Sequence, residues 1–330
     1  MSDKQPLVSI LIPVYNREAL LRPCIESALA QTYENTEIIV VDNQSTDGTW
    51  DLCKEYAAKY PKVKVYRNEK NLGPVGNWLS CMNHANGELG KILFSDDLMY
   101  ETYLEKTVPC LKEKVGLVFS SVEIGTEPGR GMVNYRYKEE TNLYKSECFI
   151  KELLLGNFGL VSPGAALFRL RDMKINLCYG TEIIPSPSIH DFDKHGAGPD
   201  LWLYLSIAGK YPQIAYFDEP LCFFRVHDGS ITMTDSKTRY LDKCYFQTRI
   251  AYCESCFDKI RGQMLAEWML KNEWRKYLRE SHRWMGFYEF ASQYTLDIHR
   301  YNISYFYVKG RRISYLYRRI KEYMFADKRK

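Results

Sequence analysis

The chain has 330 residues, 45% hydrophobic and 26% charged, with a net charge of +4. That length suits one large or two small domains with a substantial core, and no stretch approaches the ~20 apolar residues that span a bilayer. The charge is uneven: residues 296–330 hold ten Lys/Arg against three Asp/Glu, a balance of +7 that leaves −3 for the rest. A basic tail on a mildly acidic body is expected to meet an anionic surface.

In chain order, residues 7–12 (Leu-Val-Ser-Ile-Leu-Ile) form a short apolar, β-branched run stopped by Pro13, as in a strand buried on both faces of a parallel sheet. A helix is expected over about 17–31 and a second buried strand over 37–41, ending at Asp42. Ser45-Thr46-Asp47-Gly48 is turn and helix-cap chemistry, opening a helix that runs to about Lys59. A third strand covers 63–66, a helix 74–85, and a fourth strand 91–94, which ends at Ser95-Asp96-Asp97. Alternation of this kind with short connections predicts a doubly wound α/β sheet. Ligands bind such sheets beyond the carboxyl ends of the strands. The polar residues after each strand gather there: Tyr15 and Asn16, Asp42 and Asn43, residues 68–73, and Asp96 with Asp97. Further on, 117–119 and 165–169 read as strands. Residues 181–199 carry five Pro/Gly and read as a loop or lid near the site. From Tyr240 onward the pattern is helical and aromatic.

Aromatics reach 14% of the chain, with 26 Tyr, a residue whose flat face and polar tip suit sugars, protein surfaces and membrane interfaces. Ten Cys are scattered and no secretory signal opens the chain, so a cytoplasmic protein without a disulfide framework is expected. Cys253 and Cys256 form a lone CxxC, read as two ordinary thiols.

Neither a Walker phosphate loop, a GxGxxG nor a GxSxG is present. Asp96-Asp97 after a strand offers another way to hold phosphate, because hard divalent cations take carboxylate oxygens and bridge to substrate phosphates. Such a cation neutralises charge growing on a leaving diphosphate. On its own an Asp-Asp pair also suits a solvated turn.

Residues 8–16 (Val-Ser-Ile-Leu-Ile-Pro-Val-Tyr-Asn), Gln31-Thr32-Tyr33, residues 37–49, Asn71-Leu72-Gly73, residues 93–98 (Leu-Phe-Ser-Asp-Asp-Leu), residues 198–203 and residues 219–231 together resemble the inverting family 2 glycosyltransferases of bacterial polysaccharide and glycolipid type. The resemblance implies a GT-A fold, a Rossmann-like mixed α/β sheet flanked by helices, over residues 1–235. Its nucleotide-binding half would be about 1–115 and its acceptor half about 116–235, followed by a helical extension over 236–330. It implies a nucleotide-sugar donor, UDP-linked by preference, and Mg or Mn as cofactor. Pro13, Tyr15, Asn16, Asp42, Asn71, Gly73 and Asp96 would bind the nucleotide-sugar. Asp42 would hold the base, although it also suits a helix N-cap. Asp96, Asp97 and His227 would meet the metal or diphosphate, and Asp200 would be the general base that inversion requires. Two departures stand out. Phe94 occupies the place of a common acid two residues before Asp96, and Gly76-Asn77-Trp78 replaces a common Ala-Arg-Asn, leaving Arg67 or Lys70 as substitutes for the missing Arg.

Residues 305–321 mix Lys/Arg with Tyr, Phe, Leu and Ile, which suits a helix lying on an anionic membrane, or a packed terminal helix. The expected acceptor is therefore a lipid-linked or other glycan, and the expected location the inner face of the plasma membrane. Nothing else favours nucleic acid. The rival readings are a catalytically silent nucleotide- or glycan-binding relative, and a sugar-phosphate nucleotidyltransferase; the latter lacks its Gly- and Arg-rich loop here.

Overall fold

Val8–Val14 (β1) is buried along its whole length in the computed structural model, which describes residues 5–159, 162–183, 195–227, 229, 240–257, 259–281 and 284–294. β1 pairs in parallel with Thr36–Asp42 (β2) on one edge and Leu89–Ile92 (β4) on the other, and β2 pairs in parallel with Val63–Arg67 (β3). The register runs from Val8 opposite Thr36 to Val14 opposite Asp42, and Asp42 opposite Arg67, so three strands finish level. Their crossovers are the helices Glu18–Leu29 (α1), Thr49–Lys59 (α2) and Gly73–His84 (α3). Both faces of β1 and β2 are covered, which explains their unbroken apolar runs. The fourth strand lies two residues earlier than the sequence predicts. It ends at Ile92, so Leu93, Phe94 and Ser95 belong to the loop that presents Asp96. Leu93 still donates its N–H to the Leu11 carbonyl, at 2.8 Å.

Beyond β4 the sheet becomes mixed. Ala166–Arg169 (β9) lies antiparallel between β4 and Val115–Gly125 (β6), and Gln213–Arg225 (β10) runs parallel to β6. Leu98–Met99 (β5) closes the far edge on β10, giving the order β3-β2-β1-β4-β9-β6-β10-β5. The short strands Met132–Asn134 (β7) and Asn142–Lys145 (β8) hang on β6 and β10. Sequence reading did not anticipate β10, because Asp218-Glu219-Pro220 interrupts its apolar pattern. The structure absorbs that interruption as register shifts on either side of Pro220.

The remaining helices are Tyr103–Thr107 (α4), Ser146–Leu155 (α5), Leu170–Ile183 (α6), Pro199–Lys210 (α7), Tyr240–Cys256 (α8), Lys259–Ser281 (α9) and Phe287–Ala291 (α10). The expected loop over 181–199 begins as the end of α6, and its residues 184–194, including His190, lie outside the described residues. Residues 199–208 of α7 are all buried. A helix apolar all round must be enclosed, and α7 packs against α5, α6 and α8. One apolar cluster runs from Ile10 through Trp202 to Leu265 and Phe290. No disulfide joins the cysteines of the described residues, and none of the described helices is long and apolar enough to cross a membrane. The basic tail, residues 296–330, lies outside the described residues.

The β2–β3 register sets Asp42 beside Arg67, whose Nε meets Asp42 Oδ2 at 2.9 Å while Asp42 is 0% exposed. Removing one partner of a buried pair leaves an uncompensated charge. Arg67→Ala is therefore expected to cost about 3 kcal/mol, read as a lower urea midpoint at unchanged slope. Adding Asp42→Asn should recover part of the loss.

Candidate active site

The level ends of β1 to β3 and the end of β4 open onto a cleft of about 470 Å³. Pro13, Val14 and Tyr15 form its first wall. Asn16 does not line it. At φ 50° it occupies the left-handed region that Asn tolerates, and it ties two loops together. Its N–H donates to Ser45 Oγ at 2.8 Å, and its Oδ1 accepts from Thr46 N at 2.8 Å.

Asp42 is likewise turned inward. Ser45 N donates to its oxygens at 3.1 and 3.3 Å and Arg67 holds Oδ2, so its carboxylate is engaged within the fold. Nor does it cap a helix, since α2 starts at Thr49 after Gly48. Asn43, the next residue, reaches the cleft instead. Its Nδ2 donates to Asn71 Oδ1 at 2.8 Å and to the Gly73 carbonyl at 3.2 Å, and its Oδ1 accepts from Leu72 N at 2.9 Å. Asn71 lines the cleft, whereas Gly73 is buried at φ 71°, a backbone shape that favours glycine. Asn77, at the place where relatives commonly carry Arg, donates to the Val41 carbonyl at 3.1 Å and accepts from Asn68 at 2.9 Å. Arg67, engaged by Asp42 and by the Ser45 carbonyl at 2.7 Å, is not a cleft residue, and Lys70 does not line the cleft.

The arginines that do line the cleft are Arg17 and Arg225. Arg17 Nε lies 3.8 Å from Asp96 Oδ2, and the same oxygen meets His227 Nε2 at 3.0 Å. Asp97 also lines the cleft, but its Oδ1 is engaged by Arg225 N, which donates to it at 3.0 Å. Asp97 is 8% exposed, and burial, with the Asp96 charge next, pushes its pKa well up. The nearby Lys91 and Arg225 oppose that rise. Lys91 is wholly buried, donates to the Gly164 carbonyl and sits 4.6 Å over the Tyr103 ring. Adjacent carboxylates thus have separate environments.

Among the described residues no group of three or more His, Cys, Asp and Glu gathers as a metal cage. Asp96 and His227 alone converge. Two protein ligands fit a cation that keeps waters and takes its remaining contacts from substrate phosphates.

On the opposite wall, Asp200 sits in the first turn of α7 and is 6% exposed. Gly198 N and Leu201 N donate to its Oδ1 at 2.8 and 2.6 Å, and the Tyr245 hydroxyl donates to Oδ2 at 3.0 Å. Burial lifts its pKa to about 7, and these three bonds restrain the rise. A carboxylate so tuned matches a general base near neutral pH. His195, just before α7, is buried and lines the cleft, its Nδ1 accepting from Ala197 N at 3.2 Å.

Aromatic rings complete the walls. Trp78 and Phe94 pack with centroids 5.6 Å apart, and Tyr135 stands edge-on to Phe224 at 6.1 Å. Tyr135 holds φ 56°, a strained shape for a bulky residue at the cleft. Sequence reading did not single out Arg17, Tyr135, Trp78 or Tyr245 as site residues. Arg17 was findable as the residue directly after Tyr15-Asn16, while Tyr135 and Tyr245 carry no local signal.

The profile of glycosyl transferase family 2 matches residues 9–174. The chain belongs to glycosyl transferase family 2. An uncharacterized glycosyltransferase of Rickettsia typhi is 32% identical over 240 residues, 69% of this chain and 67% of that one. Glycosyltransferase GlyA of Streptococcus pneumoniae is 24% identical over 68% of this chain. The chain spans only 31% of GlyA's length, and 36–50% of several other curated relatives. In fold, it resembles S. aureus TarS residues 1–349, with TM-score 0.59 at 17% identity over 83% of this chain and 74% of that one. The family match takes in the Asp42, Asn71 and Asp96 loops, while Asp200, His227 and Tyr245 lie past its end.

Because the folded pKa of Asp200 is raised, the folded chain holds a proton there that the unfolded chain has lost between about pH 4 and 7. Stability therefore falls as pH rises through that window. Asp200→Asn, neutral throughout, should be more stable than the wild type at pH 8, by about 1–4 kcal/mol, and so melt at a higher temperature. The gap should close toward pH 4 in paired thermal scans.

Proposed function

We propose that the protein is an inverting glycosyltransferase that moves a hexosyl or N-acetylhexosaminyl group from a nucleotide-sugar to an acceptor hydroxyl. The carrying observation is that Asp200 and Asp96 line one cleft from separate elements, with His227 held against Asp96 at 3.0 Å. In this reading the acceptor oxygen attacks the anomeric carbon as its proton passes to Asp200. The bond from that carbon to the diphosphate breaks, and its electron pair leaves with the diphosphate. A Mg or Mn ion held by Asp96 and His227 would supply Lewis acidity toward that leaving group. Arg17 adds a fixed positive charge on the same side, and Arg225 anchors the loop through the Asp96 carbonyl at 3.2 Å. Asn43, Asn71, Pro13 and Tyr15 would hold the nucleoside, with Asp42 shaping their loops from beneath.

A UDP-sugar is the favoured donor. The fold neighbour TarS has been crystallised with UDP and with UDP-GlcNAc, which supports this preference. The favoured acceptor is a lipid-linked glycan of surface polysaccharide or glycolipid synthesis, met at the inner face of the membrane through the basic tail.

Calorimetric titration with UDP, GDP and dTDP, each with Mn and with EDTA, tests the donor site. One nucleotide should bind in a metal-dependent way, and Asp96→Ala should weaken it at least about 10-fold. If no nucleotide binds well-folded protein, the donor reading fails and the catalytically silent relative takes its place. Flotation with phosphatidylglycerol vesicles tests the tail. The full chain should float and a chain ending at Tyr294 should not; equal recovery would remove the tail from the account.

A further inference from the structure

The candidate base takes one of its hydrogen bonds from outside the glycosyltransferase sheet. Asp200 Oδ1 accepts two backbone N–H groups, from Gly198 and Leu201, which fills both its lone pairs. Oδ2 accepts the Tyr245 hydroxyl at 3.0 Å, and Tyr245 belongs to α8, the first helix of the C-terminal extension. One lone pair of Oδ2 then remains to receive an acceptor hydroxyl. Bonds at both oxygens fix the plane of the carboxylate, and the orientation of that last lone pair follows from it.

The packing of α8 on α7 makes this contact rigid. Asp200 meets Tyr245 at one end of the helix pair. At the other, a Cβ on Gly209 would lie 2.7 Å from the Tyr252 hydroxyl, so a larger residue there would have to displace the tip of that ring. Between them Trp202 packs edge-on to Tyr252, at 5.8 Å. The two contacts lie nine residues apart on α7 and seven apart on α8, so α8 meets α7 along more than one turn. Cys244, Thr248 and Ala251 are buried along α8. Tyr245 is thus held by a packed element, not by a loop.

We propose that Tyr245 is a positioning residue of the transfer reaction, whose hydroxyl sets Oδ2 of Asp200 as the proton-accepting atom, so that the helical extension completes the active site. The proposal rests on the glycosyltransferase reading above and deepens it on the acceptor side. It also gives the extension a function that the family match, which ends at residue 174, does not cover.

Besides Tyr245, the titratable groups around Asp200 are Tyr204 on α7, Tyr135 after β7 and His195 before α7, with Asp97 and Arg225 lining the same cleft. Burial raises the pKa of all three tyrosines, Tyr135 to about 12, so they stay neutral where Asp200 titrates.

Tyr245→Phe keeps the ring and removes only the hydroxyl. Two readouts are taken on the full chain. The first needs no turnover: ¹³C-carboxyl titration of Asp200, assigned by its loss in Asp200→Asn. A bond to the charged form lowers a carboxyl pKa, so the Tyr245→Phe titration should move up by about 0.5–1 pH unit. The second is the kinetics of transfer. Here kcat should fall about 10-fold while the donor KM stays within about twofold, since only the base is misplaced. The acid limb of kcat/KM should move up with the titration. An unchanged titration and unchanged kcat overturn the proposal, as does a kcat loss accompanied by equal loss of nucleotide binding and a lowered melting temperature, which marks a structural role. If the wild type itself transfers nothing while binding nucleotide, the functional reading fails, and the Asp200 titration still reports whether the Tyr245 bond exists.

Discussion

The double pairing of β1 is the constraint from which the cleft follows. Parallel bonds to β2 and β4 on its two edges leave it no freedom of register, and a slip by one residue would turn its side chains to the opposite face. With that register fixed, Val14, Asp42 and Arg67 stand abreast, and the chain must turn away from the sheet at one level. The loops after β1, β2 and β3 then lie close enough to bond one another, through Asn16, Ser45, Asn43 and Asn68. A network of short polar side chains holds the rim, where longer ones would have filled the space a ligand needs.

Three buried carboxylates show how the fold divides work among identical groups. Asp42 is neutralised by a cation at 2.9 Å and serves the loops. Asp97 is fixed by a backbone N–H of β10 and joins the Asp96 loop to the strand that leads to His227. Asp200 is given donors but no cation within ion-pairing distance among the described residues, so burial dominates and its proton affinity rises. A folded protein tolerates that cost of burial when the raised affinity serves it elsewhere, as in a base working near neutral pH. Asp96, more accessible than these three, keeps its side-chain contacts on His227 and Arg17, both of which can yield to a ligand.

The antiparallel insertion of β9 between β4 and β6 divides the molecule by task. On one side all pairings are parallel and the strand ends face the cleft. On the other, β6 and β10 carry Arg225 and His227 back to the Asp96 loop, and α7 brings Asp200 to the opposite wall. The extension is part of this arrangement. Enclosing α7 requires apolar cover on the side away from the sheet, and α8 supplies it while delivering the Tyr245 hydroxyl to Asp200.

The alternation of apolar runs and helical segments, with polar residues after each run, determined the α/β class and the end of the sheet where a site forms, because burial on both faces leaves so direct a mark on a strand's composition. The family resemblance, carried by motifs whose order survives in the sequence, named Asp96 and Asp200, which line one cleft, and His227, which borders it. It also named Asn16 and Asp42 as ligand contacts, and here only the tertiary structure decided their state: whether a polar side chain at a strand end faces outward depends on what its neighbours offer it, and Ser45, Thr46 and Arg67 offer more than enough. Strand β10 was hidden by a proline that only the register of β6 accommodates. Arg17, Tyr135 and Tyr245 became site residues through packing with Asp96, Phe224 and Asp200 on elements distant in the chain, and no local pattern records a contact of that range.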